Sequence, residues 1–296
     1  MIGAYIDMKE LIKKIRVQAN MSQEQFASAL GTTAVSINRW ENGKAVPNQM
    51  AQKNLHQFCK NQGIDVADIV TEMLHYEHTE DHGRNIFYHG SKKGIIGAIA
   101  PISREECDFG QGFYMGTSTL QPLTLVCAED KPKFYTVEFD LSGLKVLEVE
   151  IGMDWAMMIA YYRKQMEKVK DTPIYEKYAH FADGYDVIVG YIANDRMYTE
   201  LARFFNGTVT DVALHKCLSV LDLGKQYVAI TQKACDQIKI LEERDLYLLE
   251  RLALQDKSVE RRTEGIALAD EVVKQYRREG QFFDEILGGV WLWTNR

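Results

Sequence analysis

Two short segments of this chain carry residue types that can build a ligand-binding cleft. The first is Tyr88-His89-Gly90-Ser91, and the second is the run from Asp108 to Met115, which reads DFGQGFYM. Each is an aromatic-rich stretch with polar residues beside glycine, and glycine lets a ligand or another backbone approach without a β-carbon in the way. Two such strands side by side would form the floor of a cleft.

The order and spacing of these residues resemble the nicotinamide pocket of the poly(ADP-ribose) polymerase-like ADP-ribosyltransferases. One strand of that superfamily carries His-Gly-Ser, as His89 to Ser91 do, and a second carries Gly-x-Gly followed by Ile or Phe and then Tyr, as Gly110 to Tyr114 do. The third residue of the family's triad opens a later strand, to which Lys225–Ile230 is similar, with Gln226 in place of glutamate. The resemblance spans roughly residues 85 to 241 and points to a bacterial branch of unassigned function.

The resemblance implies NAD as substrate and a role for each matching residue. It implies that His89 bonds a hydroxyl of the nicotinamide ribose, while Gly90 and Ser91 hold the carboxamide. Tyr114 would stack on the nicotinamide ring, with Tyr88 packed beneath. The implied catalytic residues are His89, Tyr114 and Gln226, and the implied cofactor-binding residues are Tyr88, Gly90, Ser91, Arg104 and Gly112. We expect no metal.

The glutamine at position 226 limits the chemistry that the resemblance allows. Breaking the nicotinamide glycosidic bond develops an oxocarbenium-like centre, which a carboxylate ordinarily helps to stabilise while it activates the acceptor. Gln226 can hold a hydroxyl but cannot act as a base, and losing a positioned base costs about 10²- to 10⁴-fold in rate. Four carboxylates are candidates to replace it, and two arginines to face the diphosphate: Asp108, Glu106, Asp195 and Glu200, and Arg104 and Arg196.

Three functions therefore stay open for this region. The preferred hypothesis is an NAD-dependent mono-ADP-ribosyltransferase, toxin-like or autoregulatory. The second is a non-enzymatic regulator whose degenerate cleft senses NAD or a related nucleotide, and Gln226 favours it. The third is a nucleic-acid repair transferase that accepts a phosphorylated end.

The N-terminal segment has the spacing of a small helical domain. Apolar residues recur every three or four positions from Met8 to Ala19, which predicts an amphipathic helix. Ser22 predicts the N-cap of a second helix, from Gln23 to Leu30, with Gln25 as its capping-box partner. Further helices are predicted over 34–42 and 48–62, ending at glycines, and a short fifth helix follows Asp65.

Two short helices joined at Gly31 form the helix-turn-helix pattern, and the sequence from Met21 to Lys44 resembles the Cro/C1 phage-repressor family. That resemblance implies a DNA-binding set of Gln23, Thr32, Thr33, Ser36, Asn38, Arg39, Asn42 and Lys44. Arg39 would read guanine and Asn38 adenine, while Ala34 and Val35 would contact thymine methyls. The alternative is a protein-docking domain whose polar face is solvated. Because such heads usually read paired half-sites, we expect a homodimer.

The predicted architecture is multidomain. We expect an all-α helix-turn-helix head over 1–75, a linker over 76–84, an α+β ADP-ribosyltransferase-like domain over 85–241 and a helical C-terminal extension over 242–296. Strands are predicted at 134–139, 145–149, 185–191 and 226–231, and helices at 153–168, 197–205 and 211–221. The extension is predicted as two helices broken near 256–258, then an apolar cluster from Phe282 to Trp293.

Composition bounds the class of protein. The 46% hydrophobic and 26% charged content is that of an ordinary globular chain, and the absence of a leader or long apolar run predicts a cytoplasmic protein without membrane contact. Five unpaired cysteines predict reduced thiols rather than a disulfide framework. The net charge is −7, yet residues 8–62 hold eight Lys/Arg against three Asp/Glu, which favours DNA binding at the head. His75, His78 and His82 are better explained as a solvated hinge than as a metal site.

Overall fold

The computed structural model describes residues 6–74, 85–193, 195–220 and 224–286. The chain divides into two compact units that each combine distant segments. The first unit contains Met1–Ile95, Ser118–Glu138 and Ile240–Val259, and the second contains Ile96–Thr117, Phe139–Lys239 and Glu260–Arg296. The predicted hinge, with its three histidines, lies outside the described residues.

Five helices form the head within the first unit: α1 Met8–Gln18, α2 Gln23–Ala29, α3 Ala34–Glu41, α4 Gln49–Gln62 and α5 Val66–Leu74. The capping box predicted at Ser22 and Gln25 is confirmed, since each side chain bonds the other residue's backbone N–H. Gly63 ends α4 with a φ of 65°, a left-handed conformation that glycine adopts without strain. The helix-turn-helix prediction is therefore confirmed at the level of secondary structure.

Apolar residues spaced for one helix face build the core of the head. Leu11, Ile12 and Ile15 of α1 are fully buried, as are Phe26 of α2 and Ile37 of α3. The predicted core role of Phe26 and Ile37 is confirmed, and Trp40 packs against the same cluster.

Three strands, a short helix and the start of a long helix complete the first unit. Strand β1 (Ile86–Ser91) pairs antiparallel with β3 (Lys133–Phe139), which places His89 opposite Tyr135. Helix α6 is Leu120–Val126, and β7 is Ile238–Asp245, most of which belongs to this unit. Strand β7 corrects the prediction that a helical extension begins at residue 242. Strand β7 neighbours β3 in the sheet. Lys133 of β3 forms ion pairs with Glu243 and Asp245 of β7, which favours the pairing of these two strands.

Helix α12 (Leu248–Tyr276) is continuous, so the predicted break near residues 256–258 is wrong. Those positions contain neither glycine nor proline, and their charges have partners on the head. The Asp256 carboxylate lies 2.9 Å from His56 and 2.9 Å from Lys60, both on α4. Lys257 donates to Asp65 at 2.7 Å. The charged residues that the sequence placed at a helix break therefore lie within the helix and form ion pairs with the head.

The second unit has strand order β4-β5-β6-β2, formed by Val146–Val149, Val187–Tyr191, Lys225–Ala229 and Phe113–Gly116. Strands β4 and β5 are parallel, whereas β6 is antiparallel to both of its neighbours. The helices of this unit are α7 Met153–Tyr162, α8 Pro173–Ala179, α9 Asp195–Phe205, α10 Asp211–Val220 and α11 Gln232–Cys235, with a 3-10 turn at Glu167–Val169. The α+β prediction is confirmed to this extent.

Helix α7 is shorter than the predicted helix over 153–168, because Lys164 adopts a φ of 57° just after it. Trp155, Met157 and Met158 of α7 are buried in the core of the second unit, as predicted. Phe283, from the predicted C-terminal cluster, packs edge-on against Phe204 and Phe205. The cluster beyond residue 286 lies outside the described residues.

A fully buried ion pair joins Arg244 of β7 to Glu250 in the first turn of α12. Arg244 donates to both oxygens of Glu250, at 2.9 and 3.1 Å, and the two side chains are 3% and 0% exposed. Glu250 also accepts from the Tyr247 backbone N–H at 2.7 Å, and Gln52 of α4 accepts from the Leu249 N–H at 3.1 Å. These side chains satisfy backbone donors that a helix start leaves free.

We expect Glu250→Gln to lower the free energy of unfolding by about 3–5 kcal/mol, because it leaves the buried Arg244 charge without its counter-ion. Urea unfolding followed by circular dichroism measures this. Gln275→Glu, an exposed glutamine/glutamate exchange on the same helix, is the control and should change stability little. Equal effects of the two variants would contradict the structural role of the pair.

Candidate functional site

The exposed face of α3 carries the residues predicted to read DNA bases. Asn38 and Arg39 are exposed, and Val35 is 69% exposed. Thr33 caps the helix by accepting from the Ser36 N–H at 3.1 Å, and its hydroxyl also bonds that of Ser36. The side chains predicted to read bases therefore lie on a helix whose N-terminus is capped by Thr33.

A polar network fixes α3 against α1 and α2. Arg16 of α1 donates to both oxygens of Glu41, at 2.6 and 3.1 Å, and this hydrogen bonding raises the pKa of Arg16. Gln23 of α2 donates to Glu41 at 2.7 Å, and its own oxygen accepts from Asn38 at 3.4 Å. Glu41 thus joins three helices. The two helices of the motif are connected by a half-buried hydrogen bond from Gln23 to Glu41 and an exposed one from Asn38 to Gln23.

The residues predicted to contact phosphate differ in exposure and in the hydrogen bonds that they already make within the protein. Lys44 is exposed, and Thr32 is half-buried. Asn42 donates to the Asn38 carbonyl at 2.7 Å, which caps the end of α3. Gln23 is half-buried in the network just described. Contacts of these residues with phosphate stay predictions, but the structure already gives Gln23 and Asn42 roles within the head.

Strand β1 holds the four residues of the first predicted cleft segment. Tyr88 is buried and stacks on Phe134, with ring centres 5.8 Å apart. The His89 ring lies 5.9 Å from the ring of its cross-strand neighbour Tyr135. Ser91 is half-exposed at the end of the strand. Tyr88 is thus a core residue of the first unit as well as a predicted packing residue.

The glycines of both segments are required by neighbouring protein atoms. A β-carbon on Gly90 would lie 2.5 Å from the Pro122 carbonyl oxygen, and one on Gly112 would lie 2.4 Å from a methyl group of Val228. The sequence left open whether a ligand or another backbone makes the close approach. At Gly90 it is backbone, and at Gly112 it is the neighbouring strand β6.

Tyr114 and Gln226 lie on neighbouring strands of the second unit and share one face of the sheet. Tyr114 is opposite Val228 and Gly116 is opposite Gln226, so the two predicted site residues are diagonal neighbours. The Tyr114 hydroxyl donates to the Gly110 carbonyl at 2.7 Å and accepts from the Phe109 N–H at 3.0 Å. Burial and then the nearby Asp108 charge raise the pKa of Tyr114 well above its usual value.

Asp108 is the centre of a buried polar cluster in the second unit. Its Oδ1 accepts from Arg163 at 2.7 Å and from the Tyr198 hydroxyl, and its Oδ2 accepts from Gln226 at 3.0 Å and from the Ala193 N–H at 3.2 Å. The Arg163 guanidinium lies over the Tyr198 ring at 4.2 Å. The Asp108 carboxyl is thus bonded to three side chains and one backbone amide.

The pKa values of both Tyr198 and Arg163, which bond Asp108, are raised, for different reasons. Burial, then the Asp108 charge, raises the pKa of Tyr198, so this phenol stays protonated. Burial works against the charge of Arg163, but hydrogen bonding to Asp108 more than offsets it and the pKa of Arg163 is raised. A neutral phenol and a permanent cation therefore hold Asp108.

The other carboxylates that the sequence offered as replacements for glutamate are placed differently. Glu106 is exposed and pairs with Lys164, while Glu200 is fully buried and pairs with Arg203. Arg104 is exposed. The side chains of Asp195 and Arg196 lie outside the described residues. Among the candidates that can be placed, Asp108 alone hydrogen-bonds Gln226.

The structure brings Tyr114, Gln226 and Asp108 together within the second unit, whereas His89 belongs to the first unit. Convergence of His89 with the other two stays a prediction. Sequence reasoning missed Arg163 and Tyr198. Tyr198 lies within the helix predicted over 197–205, but no sequence signal gave it a role in the site or separated Arg163 from the chain's other arginines.

The described residues contain no cluster of three or more His, Cys, Asp or Glu side chains with metal-binding geometry. The five cysteines are free thiols, and Cys107 is the half-buried one. Burial raises the pKa of Cys59 to about 12 and that of Cys235 to about 11, so neither thiol is a ready nucleophile. In the described ranges, no helix has the length and apolar character needed to cross a membrane.

Comparison with known protein families gives one match to the head and one to the region that follows it. Residues 12–51 match a family described as Helix-turn-helix, which supports DNA binding through the head. Residues 85–240 match the family described as Protein of unknown function (DUF3990), and because that match covers more than half of the chain, the protein belongs to this family. No curated protein and no solved structure matches the chain.

We expect Gly90→Ala to destabilise the protein by about 1–3 kcal/mol, because the new methyl group overlaps the Pro122 carbonyl. Thermal unfolding measures the effect. Gly152→Ala is the matched control, since the nearest atom to a β-carbon there is 3.9 Å away and its φ of 173° suits any residue. A Gly90 variant as stable as this control would show that the glycine is not required for packing.

Proposed function

We propose that this protein is a sequence-specific DNA-binding regulator whose α/β region binds NAD and transfers a single ADP-ribose group. The observation that carries the DNA-binding part is the exposed base-reading pair, Asn38 and Arg39, on a helix whose orientation is fixed by the Glu41 network. Such pre-organisation favours binding because less conformational freedom is lost on contact with DNA.

Charge supports the same proposal. Over residues 8–62 there are eight Lys and Arg against three Asp and Glu, although the whole chain has a net charge of −7, so this segment can attract phosphate. Arg39 can donate two parallel hydrogen bonds to guanine, and Asn38 can pair with adenine. Lys44 would contribute to affinity for any sequence.

We expect Arg39→Ala to weaken binding to the preferred DNA by about 1–3 kcal/mol while leaving binding to unrelated DNA nearly unchanged. The preferred sequence comes from selection out of a randomised pool, and fluorescence anisotropy at several salt concentrations gives the affinities. Lys53→Ala removes one exposed positive charge from α4 and is the control. If both variants lose affinity equally for all sequences, base reading by α3 is refuted.

The transferase part of the proposal rests on the resemblance to ADP-ribosyltransferases and on the second unit. Tyr114 and Gln226 share a sheet face, as a ring-stacking residue and a ribose-binding residue need to do. The reaction would break the bond between nicotinamide and the ribose C1 and form one between C1 and an acceptor oxygen or nitrogen. Nicotinamide leaves, and the acceptor loses one proton to solvent or a base.

A second candidate function is NAD sensing without transfer. The observation that favours it is the state of the groups beside Gln226: the amide is neutral and Asp108, the adjacent carboxylate, already accepts four hydrogen bonds. A carboxylate so engaged is a poor base. In this case NAD would bind and bias DNA binding while nicotinamide stays attached.

Labelled NAD incubated with the full chain and a cell lysate separates the two candidates. Transfer predicts label on a macromolecule and released nicotinamide, with at least a 10²-fold loss in His89→Ala, because orienting groups of this kind contribute on that order. His180→Ala, an exposed histidine in the second unit, is the control. Saturable NAD binding without nicotinamide release would identify the sensor, and absence of binding would remove both.

A further inference from the structure

The orientation of the Gln226 amide is fixed by two acceptors. Its nitrogen donates to Asp108 Oδ2 at 3.0 Å and to the Tyr191 carbonyl at 3.3 Å. Both partners can only accept here, so the nitrogen and not the oxygen of the amide must face them. Within the part of the chain that the structure describes, no hydrogen bond reaches Gln226 Oε1.

Asp108 is itself held too firmly to adapt to a different partner. Arg163 and Tyr198 bond one oxygen, and the Ala193 N–H shares the other with Gln226. The Asp108 side chain is only 8% exposed, and Gln226 is 5% exposed. A charge in this position cannot be relieved by moving into water.

We propose that Asp108 is a positioning residue that fixes the Gln226 carboxamide with its oxygen free, so that the site offers a neutral acceptor to a hydroxyl of the bound ligand. The nature of the ligand rests on the proposed function, in which this hydroxyl belongs to the nicotinamide ribose. The negative charge of the site then lies at position 108 and not at position 226, and glutamine is the residue that position 226 requires.

The proposal predicts that glutamate cannot replace Gln226 in this chain. Gln226→Glu would place two carboxylates about 3 Å apart in a buried site, where one of them must take up a proton. The folded-state pKa of the pair would be raised above the unfolded value, so stability would be retained at low pH and lost as pH rises. The deficit of this variant against the unmodified protein should therefore be larger at pH 8 than at pH 5.

The experiment compares Gln226→Glu, Asp108→Asn and the double variant by melting temperature at both pH values. We expect Gln226→Glu to melt about 5 °C lower at pH 8. The double variant should recover at least half of that loss, because asparagine at 108 can donate to glutamate at 226. Gln275→Glu is the exposed control. A Gln226→Glu protein as stable as the unmodified one at pH 8, or a deficit independent of pH, would overturn the proposal.

The free amide oxygen is tested separately with NAD and with analogues lacking a hydroxyl of the nicotinamide ribose, by calorimetry. The analogue that lacks the bonded hydroxyl should bind about 3- to 10-fold more weakly than NAD to the unmodified protein, but equally to Gln226→Leu. If every analogue binds the unmodified protein as well as NAD does, the acceptor role is wrong. If NAD does not bind at all, the proposed function fails, whereas the pH-dependent melting still tests the Asp108–Gln226 pair.

Discussion

The hydrogen bonding of one buried carboxylate, Asp108, organises the polar centre of the second unit. It links the loop before β2 to helix α7 through Arg163, to α9 through Tyr198 and to β6 through Gln226. A buried charge is costly unless it is paired and hydrogen-bonded, so these elements must keep their spacing for the charge to be tolerated. The position of Tyr114 depends on the same spacing, because Tyr114 lies on the strand next to β6 and its hydroxyl bonds the loop that follows Asp108.

A similar arrangement organises the head, where Glu41 receives donors from two other helices. Both centres place a carboxylate among donors from elements that are distant in sequence. The hydrogen bonds to Glu41 hold helix α3 against α1 and α2, and the hydrogen bonds to Asp108 fix the direction of the Gln226 amide. Neither carboxylate needs to touch DNA or ligand to decide what its neighbours can bind.

The helices of the head could be predicted from patterns local in sequence. Prediction of the other elements was limited because they depend on pairing between residues distant in sequence. Ser22 and Gln25, three residues apart, predict a cap because both partners are close in sequence. Strand β7 was missed because its acidic residues have low strand propensity. Their ion-pair partner, Lys133, is more than a hundred residues away in the sequence. For the site, the resemblance indicated Tyr114 and Gln226, whose roles stay predictions. The contact of Arg163 with Asp108 joins residues 55 positions apart, and no sequence period encodes it.

Because α12 forms ion pairs with the head, the head depends on a segment that lies far from it in the sequence. Asp256 pairs with α4, and Lys257 pairs with Asp65 just before α5 and with Asp68 on it. Leu249 and Leu254 belong to the same apolar cluster as the core of the head. A head excised after α5 would lose these apolar partners and expose the surface they cover. Fusing residues 1–75 to another protein would thus transfer α3, the helix predicted to read DNA, without the contacts that cover the head's apolar surface.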